Sequence, residues 1–149
     1  MLYQLSEVER LIDDGPGLCV RFSAGYASDL EEGAVDAESG LPLPGLPAHP
    51  LDAESWWTLP REEWTARQIS RLPAPRHVPQ DVARPERFAW LLRGRVVGHA
   101  PDGEVLVADV EVVGRLAECL IGQADRVWGA RFDAEFGRRE AELVSVAHA

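Results

Sequence analysis

Residues 88–113 read FAWLLRGRVVGHAPDGEVLVADVEVV, two stretches rich in β-branched and aromatic residues on either side of a short polar segment. The first stretch runs from Phe88 to Val97 and the second from Glu104 to Val113. Between them, Ala100-Pro101-Asp102-Gly103 contains the residue types that favour a tight turn. Residues 88–113 are therefore predicted to form a β-hairpin.

Four further segments have the pattern of an element that packs on this hairpin. Residues 18–23 alternate apolar and polar side chains, which is typical of a half-buried strand. Helices are predicted over 7–14, 60–72 and 115–136, because apolar residues recur there at three- and four-residue spacing. The apolar faces of this strand and of the three helices need one another, and the hairpin, to be buried. The predicted fold class is therefore α+β, a small, mainly antiparallel sheet of strand 18–23 and hairpin 88–113 with the three helices packed on it.

The length and the connecting segments indicate one domain. A chain of 149 residues is long enough for a single core. We expect the domain to span 1–136, with loop 24–59 and linker 73–87 inside it and a frayed tail over 137–149. Several prolines argue against a central strand or a helix interior in the loop: Pro42, Pro44, Pro47 and Pro50. Long segments of this kind are often functional or mobile.

Composition and charge exclude several classes of function. The chain has 25 acidic and 15 basic residues, giving a formal net charge of −10 and an acidic protein. Nucleic-acid phosphates and anionic membranes repel such a chain, so neither is an expected partner, whereas a small molecule or a basic protein fits. Every basic residue is arginine. The absence of lysine excludes enzymes that hold pyridoxal phosphate as a Schiff base and nucleoside triphosphatases that have a P-loop lysine.

The location of the protein is also suggested by its sequence. No apolar run approaches the ~20 residues that a membrane-spanning helix needs. The first residues, Met1 to Glu7, lack the basic and apolar regions of an export signal. A cytoplasmic location is therefore expected.

Metal binding and nucleophilic catalysis have no recognisable motif. The four histidines have no metal-ligand spacing with another histidine or a cysteine, so no metal site is predicted: His49, His77, His99 and His148. The sequence also contains no nucleophile elbow and no dinucleotide-binding glycine motif. Whether the protein is an enzyme stays open at this point.

Candidate ligand-binding residues lie on strand 18–23 and before helix 60–72. Arg21 and Ser23 project from one face of the strand, about 6.6 Å apart, and a guanidinium can bind phosphate through two parallel hydrogen bonds. Trp56 and Trp57 are adjacent at a loop-to-helix junction, where both need not point inward. One of them is expected to line a pocket, where a ring beside acidic groups can hold a planar or cationic ligand.

Two segments together resemble the ADP-ribosyltransferase fold: Arg21-Phe22-Ser23 on an early strand and Glu104-Val105-Leu106-Val107 opening a late one. In that fold the early residue contacts a nicotinamide dinucleotide, and the late glutamate holds a ribose hydroxyl and stabilises an oxocarbenium-like transition state. The resemblance implies that Arg21 contacts phosphate or ribose, that Glu104 is catalytic and that NAD is the cofactor. Asp102 stands where that family has a second glutamate.

Most of residues 1–128 also resemble a family of small uncharacterised actinobacterial proteins of Streptomyces type. The resemblance is carried by Leu5–Ile12, Val20–Ser23, Leu43–Leu46, Pro50–Leu51, Trp56–Trp57, Trp64–Gln68 and Gly94–Gly98. It implies a bacterial cytosolic origin and no particular reaction.

Two hypotheses of function follow from these observations. The favoured one is a non-catalytic binding or regulatory module that uses its acidic surface and loop 24–59. The alternative is a nucleotide-binding enzyme of the ADP-ribosyltransferase kind, in which Arg21, Ser23 and Trp57 form the floor of a cleft and Glu104 lies at its edge.

Overall fold

The computed structural model describes residues 1–36, 38–72 and 86–131. In chain order the elements are α1 (Leu5–Asp14), β1 (Cys19–Ser23), α2 (Tyr26–Glu32), β2 (Leu46–Pro50), α3 (Arg61–Ser70), β3 (Phe88–His99) and β4 (Val105–Arg115), followed by helix α4 over 118–131. Residues 73–85 of the predicted linker, residues 132–136 of the last predicted helix and the predicted tail 137–149 lie outside the described residues.

The predicted hairpin is confirmed. Strands β3 and β4 pair antiparallel from Trp90 opposite Arg115 to His99 opposite Val105, with register shifts at three points along the way. One turn of 3₁₀-helix, Pro101–Gly103, connects them. Asp102 there has a φ of 66°, a left-handed conformation that aspartate tolerates better than most residues. The residues predicted to form a turn, 100–103, thus connect β3 to β4.

The four strands close into a small barrel. Strand β1 pairs antiparallel with both β3 and β2, and β2 pairs antiparallel with β4. The order β1-β2-β4-β3 therefore returns to its start. The predicted α+β class is confirmed, and strand 18–23 lies in the same sheet as the hairpin.

The prediction that loop 24–59 lacks regular structure is wrong, because the segment contains α2 and β2. Pro47 and Pro50 both lie in β2, although prolines were expected to exclude a strand. Strand β2 changes neighbour along its length: Leu46–Ala48 pair with β4, whereas His49 and Pro50 pair with β1. Each proline is therefore paired across one side only, as on an edge strand, where a missing N–H is tolerated.

Two predicted helix boundaries move for reasons of backbone pairing. Helix α1 begins at Leu5, two residues early, where the Leu5 amide donates to Gln123 Oε1 at 3.0 Å. The last helix begins at residue 118 rather than 115, because the backbone just before it is paired with Leu2. The Leu2 amide donates to Arg115 O and the Ala117 amide donates to Leu2 O, both at 2.8 Å.

Two apolar cores lie on opposite faces of the sheet. The inner core fills the barrel with Cys19, Leu46, Ala48, Trp90, Leu92, Val105 and Val107. The outer core joins the other face to the helices through Val8, Val20, Ile69, Leu91, Leu120 and their neighbours. Alternation along β1 and β3 sends successive side chains to different cores. No helix in the described ranges is long and apolar enough to span a membrane.

Candidate functional site

Arg21 and Ser23 lie on the face of β1 that includes Cys19, and both bind one carboxylate from α2. Arg21 donates from Nε to Asp29 Oδ2 at 2.9 Å and from Nη2 to Asp29 Oδ1 at 3.2 Å. The Ser23 hydroxyl donates to Asp29 Oδ2 at 2.8 Å and accepts from Trp90 Nε1 at 2.9 Å. This Asp29 network is buried, with side-chain exposures of 19 % for Arg21 and 6 % for Asp29.

The Asp29 network uses every nitrogen of the Arg21 guanidinium. The third one, Nη1, donates to the carbonyl of Pro47 at 2.8 Å. Arg21 therefore joins β1, α2 and β2 to one another. Because Nε and Nη2 form a paired contact with Asp29, that edge of the guanidinium is already occupied by a carboxylate of the protein.

Glu104 lies on the other side of the sheet, directly after the 3₁₀ turn. Its charge acts on His49 of β2. His49 is opposite Val20 in the β1–β2 pairing and shares its face, the one that the helices cover. Among the described residues, no hydrogen bond or ion pair joins Arg21 to Glu104. These contacts give no support to the dinucleotide site that the ADP-ribosyltransferase resemblance implied, and that site stays a prediction.

His49 is surrounded by charges of both signs. Burial lowers its pKa from the usual value of 6.5, as do Arg71 and Arg67, while Glu104 and Asp102 act in the opposite direction. Its Nδ1 is buried and has no hydrogen-bond partner among the described residues.

These opposing charges give a prediction for the pKa of His49. Glu104→Gln removes a negative charge that favours the imidazolium, so the pKa of His49 is expected to fall further. Arg71→Gln removes a positive charge, so the pKa is expected to rise. Histidine resonances followed by NMR between pH 4 and pH 8 measure both changes. Glu111→Gln on the exposed part of β4 is the control and should leave the value unchanged. If the pKa of His49 shifted by the same amount and in the same direction in all three variants, the effect of the Glu104 charge on His49 would be contradicted.

Trp56 and Trp57 belong to a cluster of four tryptophan rings. Trp64 of α3 is its buried centre, 1 % exposed, and its ring lies 5.7 Å from Trp56 and 5.1 Å from Trp57. Trp57 also contacts Trp128 of α4 at 6.1 Å. Trp56 is 58 % exposed, and its indole N–H donates to Glu54. Trp56 is therefore the member of the pair that offers its ring to solvent.

Sequence reasoning missed a pair of arginines next to these tryptophans. Arg67 lies in the last turn of α3 and Arg71 caps the C-terminus of that helix. Both donate to Oε1 of Gln68, at 3.2 and 3.4 Å. The Arg67 guanidinium also lies over the Trp64 ring, 5.3 Å from its centroid. The i, i+4 spacing of Arg67 and Arg71 is the signal in the sequence that could have identified this pair.

Two concave regions border the sheet. One of about 290 Å³ lies where β1, β3 and β4 meet the start of α4, between Phe22, Arg87 and Arg115. Both of its arginines stack on rings, Arg87 on Phe22 and Arg115 on Phe88. The second, of about 260 Å³, lies between α2 and β4 and is bordered by Leu30.

Two kinds of reactive group in the described residues are the buried thiol and the metal-ligating side chains. Burial raises the pKa of the Cys19 thiol to about 12, so the thiol stays protonated and is a poor nucleophile. Across residues 1–36, 38–72 and 86–131, no group of three histidine, cysteine or acidic side chains is placed to hold a metal ion.

Comparison with known proteins identifies the family. The model of a family of unknown function (DUF6098) matches residues 1–138, and the chain belongs to this family. No curated protein and no solved structure matches the chain.

Proposed function

We propose that this member of the family is a non-catalytic binding module whose partner is a basic segment of another protein. The observation that carries the proposal is the separation of charge along the chain. Residues 22–60 contain seven carboxylates and no arginine. Four of these acids are exposed in α2 and the segment after it: Glu31, Glu32, Asp36 and Glu38.

Apolar side chains are exposed among these acids. Leu30, Val35 and Leu41 are 65 %, 57 % and 65 % exposed. Leu30 also borders the concave region of about 260 Å³ between α2 and β4. We call residues 30–36 and 38–41 the acidic surface. Exposed apolar residues rimmed by charge are typical of surfaces that bind other proteins.

The acidic surface is held in place by the rest of the fold. Two backbone hydrogen bonds close its turn, from the Asp36 amide to Leu41 O at 2.9 Å and from the Leu43 amide to Ala34 O at 2.8 Å. Asp29 fixes α2 to β1 through Arg21. A surface that is already ordered loses less conformational entropy when a partner binds.

A matched pair of variants tests the role of these charges. The probe is a synthetic helical peptide with arginines on one face and leucines on the other. We expect Glu31→Gln, Glu32→Gln and Glu38→Gln together to weaken its binding by about tenfold at low salt, since each exposed charge contributes roughly 0.2–1 kcal/mol. Isothermal titration calorimetry measures the dissociation constants.

The control removes three exposed acids elsewhere, through Asp14→Asn, Glu111→Gln and Glu118→Gln. It changes the net charge equally and is expected to leave the affinity within twofold of the native value. Equal losses in both triple variants would show that net charge alone attracts the peptide. That result, or no binding of the peptide at low salt, where charge attraction is strongest, would reject the proposal.

The NAD-binding alternative has no comparable support. It requires Arg21 and Glu104 in one cleft, whereas Arg21 is engaged by Asp29 and Pro47 and Glu104 lies beside His49. We therefore do not propose ADP-ribosyl transfer for this chain.

A further inference from the structure

The C-terminal end of helix α3 carries two arginines, Arg67 in the helix and Arg71 at its cap, that a buried amide holds together. Gln68 is 1 % exposed, and its Nε2 donates to the carbonyl of Pro50 at 2.9 Å. This bond fixes Oε1 as the shared acceptor for Arg67 and Arg71. Arg71 is fixed further because its Nη2 donates to the carbonyl of Asp102 at 2.6 Å. The two guanidinium groups are therefore placed by their surroundings before any ligand arrives.

The positive charge of this arginine pair is only weakly compensated by carboxylates of the protein. In the described part of the chain, neither Arg67 nor Arg71 forms an ion pair with a carboxylate. Burial lowers the pKa of Arg67, and the charge of Arg71 lowers it further, while Glu54 acts in the opposite direction. Three nitrogens of the arginine pair have no acceptor in the described residues: Nε and Nη2 of Arg67 and Nε of Arg71. In Arg21, by contrast, every guanidinium nitrogen donates to an acceptor in the protein.

The exposed ring of Trp56 contacts Trp64, the same ring that the Arg67 guanidinium contacts. The Trp64 ring contacts both groups: its centroid is 5.7 Å from that of Trp56 and 5.3 Å from the Arg67 guanidinium carbon. More than half of Trp56 is open to solvent. Nucleobases stack on such rings, and arginines bind phosphate through paired hydrogen bonds.

We infer that Arg67 and Arg71 bind the phosphate of a nucleoside monophosphate whose base stacks on Trp56. The carboxylates near this nucleotide site limit the charge of the ligand. Glu54 accepts from the Trp56 indole, and Glu104 lies beside His49. A monophosphate meets less repulsion from them than a triphosphate does. The inference is independent of the proposed function, because the acidic surface lies on α2 and the segment after it.

Three probes test the nucleotide site on the full chain: adenosine monophosphate, inorganic phosphate and adenosine. Calorimetry and tryptophan fluorescence follow binding. The monophosphate is expected to bind at least about fivefold more tightly than inorganic phosphate, because stacking of the base adds to the affinity. Arg71→Gln is expected to weaken both anions by about tenfold or more. Trp56→Ala is expected to weaken adenosine monophosphate alone.

Two arginines elsewhere serve as controls. Arg10→Gln on the exposed face of α1 and Arg87→Gln at the concave region near Phe22 remove the same charge and should leave binding unchanged. A second readout is the pKa of His49, which a bound phosphate is expected to raise because it offsets the charges of Arg71 and Arg67. The inference is overturned if neither anion binds, if both bind equally, or if Arg87→Gln abolishes binding and Arg71→Gln does not.

Discussion

Replacing Asp29 with alanine is expected to lower the free energy of unfolding by about 3–5 kcal/mol, the usual cost of removing one partner of a buried ion pair. The change leaves the Arg21 guanidinium, 19 % exposed, without its counter-charge. It also removes the acceptor of the Ser23 hydroxyl, which in turn accepts from Trp90. Urea unfolding followed by circular dichroism measures the loss.

An exposed ion pair supplies the control for Asp29. Arg95 and Asp109 are 3.2 Å apart with side-chain exposures of 68 % and 76 %, so Arg95→Gln is expected to cost under about 1 kcal/mol. The double variant Arg21→Met, Asp29→Leu removes both charges and is expected to recover a large part of the stability. A cost below about 1 kcal/mol for Asp29→Ala would show that Arg21 finds another partner or reaches water.

Trp64→Ala is the second substitution with a large expected effect, about 3–5 kcal/mol of unfolding free energy. The side chain is 1 % exposed and touches the rings of Trp56 and Trp57. Its indole N–H also donates to the carbonyl of Pro50 at 3.3 Å, which ties α3 to β2. Truncation leaves a cavity between helix and sheet that the neighbours can fill only in part.

The same change at Trp56 is the control, because it removes the same side chain from the same cluster. Trp56 is 58 % exposed, so Trp56→Ala is expected to cost under about 1 kcal/mol. Thermal and urea unfolding of the two variants measure the difference. Similar losses at both positions would mean that the exposed ring contributes as much as the buried one.

The elements with a clear apolar period were predicted from sequence, and the closure of the sheet was not. Strand β1 and the hairpin are rich in β-branched and aromatic residues between turn signals, which indicates strands. The structure buries both faces of β1 and of the first half of β3, in the two cores. Strand β2 contains Pro47 and Pro50 within five residues. Its formation depends on a change of neighbour midway through the strand, which is a tertiary arrangement that no local pattern encodes.

Among the candidate site residues too, a local sequence pattern predicted some positions, whereas the others depend on tertiary contacts. The strand pattern placed Arg21 and Ser23 on one face correctly, but their partner Asp29 lies on α2, in a segment expected to be irregular. The pairing of Arg67 with Arg71 depends on Gln68, and Gln68 is fixed by Pro50 of β2. Strand β2, which was not predicted, thus positions Arg67 and Arg71 through Gln68. The sequence alone did not identify these two arginines as a pair.

Closure of the barrel has a consequence for self-association. The paired backbones of β1 and β4 are both partly covered by β2, a strand of five residues. If β2 detaches, the freed N–H and C=O groups on those two strands become templates for a strand from another molecule. Aggregation would then begin with local opening at Leu46–Pro50 rather than with global unfolding. The interactions that retain β2, from Arg21 to Pro47 and from Gln68 and Trp64 to Pro50, therefore also protect the protein from intermolecular strand pairing.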